Sequence, residues 1–191
     1  AQALLEGLGE LRATAVLEIG AGTGNYTREI ASHGIAITAL DRSPAMVECG
    51  HAKAAARWVL GDALALPFRS GAFEALMAIN MLHHLENLAR ALSEMRRVVT
   101  SGIAVQAVVR ENLSTLWYRR YFPEIDSVLL PLHPGLGTLI VAMLSAGFRR
   151  VRAYPIFYSG AGDLTFEAGR TRPELLFQES FRSATSGFRR L

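Results

Sequence analysis

The stretch Val16-Leu17-Glu18-Ile19-Gly20-Ala21-Gly22-Thr23-Gly24-Asn25 decides how the rest of the chain is read. Its first half, continuous with Ala15, is an apolar run of strand type. Its second half sets glycine at alternate positions before a helical pattern that opens at Asn25. Glycine lets a backbone turn tightly and approach a ligand with no Cβ in the way. In an open α/β sheet such a turn lies at the carboxyl edge of a strand, where ligands bind. The dinucleotide fingerprint requires another glycine three residues after Gly22; Asn25 stands there, which disfavours NAD.

Outward from this turn, apolar runs alternate with helical patterns. Asn25 to Ser32 reads as a helix ended by Gly34, and Ile35 to Leu40 as a second strand. Ser43-Pro44 suits the N-cap and first turn of a helix. Trp58 to Leu60 and Phe73 to Ile79 read as the third and fourth strands. Asn87 caps a helix whose Leu88, Leu92, Met95 and Val99 form one apolar stripe. Ile103 to Val109 reads as a fifth strand, and Leu136, Ile140, Met143 and Leu144 as a helix stopped by Gly147. Val151 to Tyr158 reads as a sixth strand. Near-continuously apolar strands alternating with helices predict an α/β fold with a doubly wound, mainly parallel sheet covered on both faces.

Of the 191 residues, 50% are hydrophobic and 19% charged, enough apolar material to offset ordering entropy and exclude a disordered chain. A single cysteine, Cys49, excludes a disulfide framework and any Cys-based zinc site, and reads as a small buried residue. Val128 to Phe148 lacks formal charge, but Pro131, His133, Pro134, Gly135 and Gly137 interrupt it, so it reads as a loop followed by a short buried helix rather than a membrane span. No signal peptide is evident at the start, and the default expectation is a soluble cytoplasmic domain with no membrane contact. Net charge is +3 and the pI about 9.4. Nineteen of the twenty basic residues are arginines, Lys53 being the exception, and no aromatic platform is interleaved with them. A solvated basic face is preferred over a nucleic-acid surface.

Three acids stand near three strand ends. Glu18 lies in the first strand; Asp41 follows the second, 21 residues after Gly20; Asp62, in Gly61-Asp62-Ala63, follows the third. A carboxylate at the position of Asp41 can accept both hydroxyls of a ribose. Three acids around one glycine turn would repel a pyrophosphate and suit a nucleoside that carries positive charge.

Together, Val16 to Gly24, Asp41, Gly61-Asp62-Ala63-Leu64-Ala65-Leu66-Pro67-Phe68, Phe73-Glu74 and Asn80-Met81-Leu82-His83-His84-Leu85 resemble the class I S-adenosylmethionine-dependent methyltransferases. The likeness is to the subgroup that includes quinone-biosynthesis C-methyltransferases and many small-molecule enzymes, and it covers about residues 14–158. It implies a Rossmann-like fold and S-adenosyl-L-methionine as cofactor, released as S-adenosyl-L-homocysteine. It also implies roles. Glu18 would reach the methionine amino group through water, with Gly20, Gly22 and Gly24 beneath the methionine part. Asp41 would hold the ribose hydroxyls and Arg42 would border the adenine. Asp62 would accept from the adenine amino group beside the Ala63 backbone, and Asn80 and Met81 would meet the methionine end. Glu74 departs from the subgroup, which more often has aspartate there in a structural role.

Methyl transfer needs positioning and desolvation first. His83 and His84 are the candidate bases, with a pocket-shaping role as the alternative. No metal site is expected, because adjacent histidines do not form the i, i+4 pair of a helical zinc site. Without an Asn/Asp-Pro-Pro-Tyr/Phe motif after the fourth strand, base amino groups of nucleic acids are unlikely acceptors. Trp117, Tyr118, Tyr121 and Phe122 either line a substrate pocket or pack among themselves. A small-molecule acceptor is favoured, an RNA or protein methyltransferase stands second, and a non-catalytic S-adenosylmethionine-binding partner protein third. Residues 1–191 are expected to form one domain, with the cofactor half at about 14–110 and substrate-covering segments at about 111–135 and 159–191. A helix is expected from Arg172 to about Arg182. The chain begins at Ala1, and after Tyr158 no run suits a central strand, so it reads as part of a longer chain lacking the family's seventh, antiparallel strand.

Overall fold

A computed structural model of the chain describes residues 2–115, 117–156, 174 and 177–179. The chain divides into two compact units, Ala1–Ala107 with Gly137–Arg152, and Val108–Leu136 with Ala153–Leu191.

The first unit is built on strands β1 (Ala15–Ile19), β2 (Ala36–Asp41), β3 (Arg57–Leu60), β4 (Phe73–Ile79) and β5 (Val99–Gln106). They form one sheet in the order β3-β2-β1-β4-β5, all neighbours parallel. Four of the five residues of β1 and the last five of β4 are buried, as expected of strands covered on both faces. The order runs outward in both directions from β1 and β4, so the topological switch point, where α/β sheets bind ligands, lies between them. Register brings Ile19 beside Leu40 and Ala78, and Asp41 beside Leu60. Glu74 fixes the start of β1: one of its carboxylate oxygens accepts from Thr14 N at 2.6 Å, Thr14 Oγ1 at 3.0 Å and Ala15 N at 3.1 Å.

Helices α1 (Gln2–Glu10), α2 (Asn25–Ala31), α3 (Pro44–Lys53) and α4 (Leu88–Val98) accompany the sheet. In α4 the side-chain oxygen of Asn87 accepts from Arg90 N at 3.0 Å, the expected cap. Ala91, Leu92, Met95 and Val98 are fully buried, each large side chain worth about 1.5–3 kcal/mol of burial. Sequence reading did not place α1, although Leu4, Leu8 and Leu11 carry the helical spacing. Leu4 and Leu8 are buried, and Leu11 lies so close to Gly102 of β5 that a Cβ there would sit 2.9 Å from its side chain.

Several expectations are corrected. The fifth strand begins at Val99 and ends at Gln106, because the chain passes from α4 into β5 with no intervening turn; Val99 closes the helical stripe and opens the strand. Residues 151–156 form no strand, and residues 157 and 158 of the expected sixth strand lie outside the described residues. Ser43 occupies the N-cap of α3, but its hydroxyl makes no capping bond; its N–H donates to Asp41 instead. Cys49 is exposed, since α3 buries only Gly50. The charge-free run is two helices, α5 (Ile125–Leu132) and α6 (Leu136–Ser145), not a loop and a helix. Pro131 is accommodated within α5, and His133, in extended backbone, ends it. Nor is α6 wholly buried: Leu139 and Met143 are, while Val141 and Leu144 are exposed. Most of residues 159–191, including the expected helix from Arg172, lies outside the described residues.

In the second unit, 3-10 turns at Arg110–Thr115 and Trp117–Arg120 precede α5. Leu113, Ile125 and Leu129 form a small core with Val108 and Phe122 against it. His133 is buried, its Nδ1 3.0 Å from the carbonyl oxygen of Val108. Arg119 and Asp126 form a two-pronged ion pair. Both Glu111 carboxylate oxygens accept from Leu136 N, at 3.1 and 3.0 Å. Tyr121 is exposed, while Phe122 is half-buried and packs against this small core.

Candidate functional site

The site lies in the first unit, at the carboxyl ends of β1, β2, β3 and β4. After Ile19 the chain turns through Gly20-Ala21-Gly22-Thr23-Gly24 into α2. The N–H groups of Gly20 and Ala21 donate to Leu40 O at 2.8 and 3.1 Å, stitching the turn to the end of β2. Gly20 has φ 69°, and a Cβ there would stand 2.8 Å from Met81 Cβ, so conformation and space both demand glycine. Gly24 has φ 77° and is covered by the Trp58 ring, 2.9 Å from where its Cβ would be. Gly22, at φ 55°, differs: nothing lies within 4 Å of its Cβ position. The middle of the turn is therefore open to a ligand.

Glu18 is the buried acid, 2% exposed, with Oε2 accepting from the Thr27 hydroxyl at 2.5 Å. Burial pushes its pKa up to about 7, against the pull of the Thr27 hydrogen bond and with help from the nearby Asp41 charge. Asp41 ends β2; Oδ2 accepts from Gly22 N at 2.8 Å and Oδ1 from Ser43 N at 2.9 Å. It thus ties the glycine turn to the start of α3 and keeps further lone pairs for a ligand. Arg42 follows it, exposed.

Asp62 stands two residues beyond the end of β3 and is exposed, with Oδ1 accepting from Leu64 N at 2.9 Å; Ala63 beside it is buried. Gly61 N donates to Asp41 O at 3.0 Å, which links the second and third acid positions through main chain. Beyond β4, Asn80 takes φ 49°, a left-handed conformation that asparagine tolerates better than most residues, held by its N–H donating to Gln106 O at 2.8 Å. Met81 lies against Gly20. His83 and His84 occupy the 3-10 turn Leu82–His84, half-buried and exposed respectively, with ring centroids 4.0 Å apart. All twelve sequence-predicted positions thus gather along one edge of one sheet.

Sequence reading missed six participants: Thr27, the partner of Glu18; Trp58, packed on Gly24; Gln106, which holds Asn80; and the three α4 side chains Arg90, Glu94 and Arg97. Thr27 sits nine residues after Glu18, a relation visible only once strand and helix fold together. Among the described residues no cluster of His, Cys, Asp and Glu could hold a metal ion.

Residues 17–105 match the methyltransferase domain family. A demethylmenaquinone methyltransferase of Beutenbergia cavernae is 34% identical over 102 residues, 53% of this chain and 42% of that protein. A malonyl-[acyl-carrier protein] O-methyltransferase of Pseudescherichia vulneris is 35% identical over 130 residues, 68% of this chain and 52% of that protein. The chain thus spans about half or less of the length of these curated relatives. A solved structure described as a methyltransferase from an antibiotic biosynthesis pathway of Anabaena variabilis superposes with a TM-score of 0.84 at 25% identity, covering 100% of this chain and 78% of that one.

Proposed function

We propose that this chain, whose residues 17–105 match the methyltransferase domain family, transfers a methyl group from S-adenosylmethionine to a small-molecule acceptor. The observation that carries this reading is the set Glu18, Asp41 and Asp62 around an open glycine turn, with Glu18 buried and partnered by a hydroxyl. That set suits a ligand with a neutral nucleoside and a cationic amino-acid end. It does not suit a pyrophosphate.

S-adenosylmethionine supplies a methyl group on a sulfonium centre, open to in-line displacement. The rest is positioning by this chain. Asp41, already oriented by two backbone N–H groups, accepts the ribose hydroxyls, while Arg42 borders the base. Asp62 and the Ala63 backbone take the adenine edge. The open backbone at Gly22, between Gly20 and Gly24, would hold the methionine part, and Glu18 would answer its ammonium through water. Main-chain atoms of Asn80 and Met81 meet the same end. His83 or His84 accepts the acceptor's proton where the nucleophile carries one. In this reading residues 1–191 act as one methyltransferase domain, with the cofactor half at about 14–110. It works in the cytoplasm, where the exposed Cys49 thiol stays reduced.

Calorimetric titration with S-adenosylhomocysteine tests the cofactor, and labelled methyl transfer to a panel of phenols, quinols, amines and carboxylic acids tests the class. Saturable binding and transfer to one small acceptor are expected. A folded preparation that does not bind S-adenosylhomocysteine overturns the reading. Transfer to RNA alone, abolished steeply by salt, would replace the acceptor class.

A further inference from the structure

One face of α4 is given over to holding the segment that carries Asp62 and Ala63. Arg90, Glu94 and Arg97 recur at spacings of four and three residues, on the flank of the apolar stripe. Arg90 Nε donates to Leu64 O at 2.8 Å. Glu94 Oε2 accepts from Leu66 N at 2.8 Å. Arg97 donates through Nη1 to Phe68 O at 2.7 Å and through Nη2 to Leu66 O at 3.0 Å. Its fork also closes on Glu94, with Nε to Oε1 and Nη2 to Oε2 both at 2.7 Å. Three side chains thus engage main-chain atoms of Leu64, Leu66 and Phe68, within seven residues of Asp62.

That amount of polar attachment is unusual for a segment with so little regular structure. Asp62 and Ala65 form only an isolated bridge, and Asp62 is itself exposed. No strand pairing beyond that bridge keeps Asp62 and Ala63 where a ligand would meet them. A guanidinium spreads its N–H donors over three nitrogens in a rigid plane, so Arg97 can hold two carbonyls and a carboxylate in one fixed geometry; an ammonium gathers its three donors on one atom and cannot reproduce that fork. Glu94 sets the orientation of that fork while taking the Leu66 N–H. The contacts fall entirely on backbone, so they fix where the segment lies and leave its side chains free to meet a base.

Resting on the cofactor reading above, we propose that Arg97, oriented by Glu94 and assisted by Arg90, is a positioning residue for base recognition: it holds the 62–68 segment so that Asp62 and Ala63 read the adenine edge. The clamp does not touch the ligand. It acts chiefly on the base end: the glycine turn and Asp41 have their own bonds, to Leu40, Gly22 and Ser43, and Asp41 O meets the segment at Gly61 N, ahead of the clamped residues.

The test compares affinities for S-adenosylhomocysteine and for S-inosylhomocysteine, in which a carbonyl replaces the adenine amino group that Asp62 would accept from. Wild-type protein is expected to prefer the adenine ligand. Arg97→Lys, which keeps the charge but not the fork, is expected to bind it about tenfold more weakly, the effect of roughly one hydrogen bond, with little change for the inosine ligand. Glu94→Gln, which keeps an acceptor for Leu66 N, is expected to lose less than Glu94→Ala. Should Arg97→Lys fail to fold, Arg90→Met carries the test, with a smaller shift in the same direction. An unchanged preference in folded variants overturns the inference, and so does equal weakening of both ligands, the sign of a merely structural role. Wild-type protein that binds neither ligand overturns the cofactor reading itself, before any variant is compared.

Discussion

Glu18 predicts an unusual dependence of stability on pH. Its carboxyl is buried, and its pKa is pushed from an ordinary 4.5 to about 7. Between those values the unfolded chain releases this proton and the folded chain retains it. Stability from this group is therefore fully present below about pH 4.5 and is lost as pH rises through 7. A gap of about 2.5 pH units at 1.36 kcal/mol each amounts to roughly 3 kcal/mol, a large share of the stability of a small domain. Glu18→Gln removes the titration while keeping the size of the side chain and an oxygen to accept from Thr27. Urea unfolding of both proteins from about pH 5 to pH 8.5 isolates the effect, because other titrating groups cancel in the comparison. The wild type is expected to lose about 2.5 kcal/mol more than the variant over that range, the rest having been lost below pH 5. A ligand ammonium near Glu18 should draw the carboxyl into its charged form, so S-adenosylhomocysteine is expected to release a proton on binding near pH 6 and none near pH 9. Calorimetry in buffers of different ionisation heat reads this directly. Stability curves that run parallel for the two proteins would refute the burial argument, whatever the ligand does.

Asp41→Ala removes the acceptor for Gly22 N and Ser43 N; S-adenosylhomocysteine binding is expected to weaken by about 1–3 kcal/mol, measured by titration. Gly50→Ala would place a Cβ 2.0 Å from the Trp58 ring, and overpacking of this kind is expected to cost about 1–3 kcal/mol or more; denaturation followed by tryptophan fluorescence reports it, and Trp58→Ala in the same chain should recover part of the loss. Asn87→Ala removes the α4 cap, for a loss of about 1 kcal/mol in urea unfolding. Burial holds His133 below its ordinary 6.5, so the folded state resists a proton that the unfolded chain accepts; stability from this group is lost as pH falls through that region, and His133→Gln should flatten the acid side of the curve.

The parallel sheet was legible because strand residues such as Val16, Leu17 and Ile19 are apolar on both faces, and because glycines mark where the chain must turn. The candidate-site residues were legible for a related reason: in this topology the strand ends and the residues that follow them are delivered to one edge, so Glu18, Asp41, Asp62 and Asn80 converge by connectivity alone. Where an element begins without a turn the pattern fails, as at Val99, which suits the end of a helix and the start of a strand equally. The charge-free run from Val128 was misread because proline at Pro131 suggests a break upstream, whereas it stands in the last turn of α5, which ends at Leu132. Cys49 shows the same limit: small apolar character predicts burial, but α3 turns that face to solvent. Sequence alone therefore determined the sheet and which residues stand at its edge, since both follow from local pattern and chain order. Only the tertiary structure decided that Glu18 is buried with Thr27, that Trp58 closes over Gly24, and that Arg97 grips Leu66 and Phe68. Those contacts join residues far apart in the chain, and nothing in one strand's composition encodes which side chain another element will bring against it.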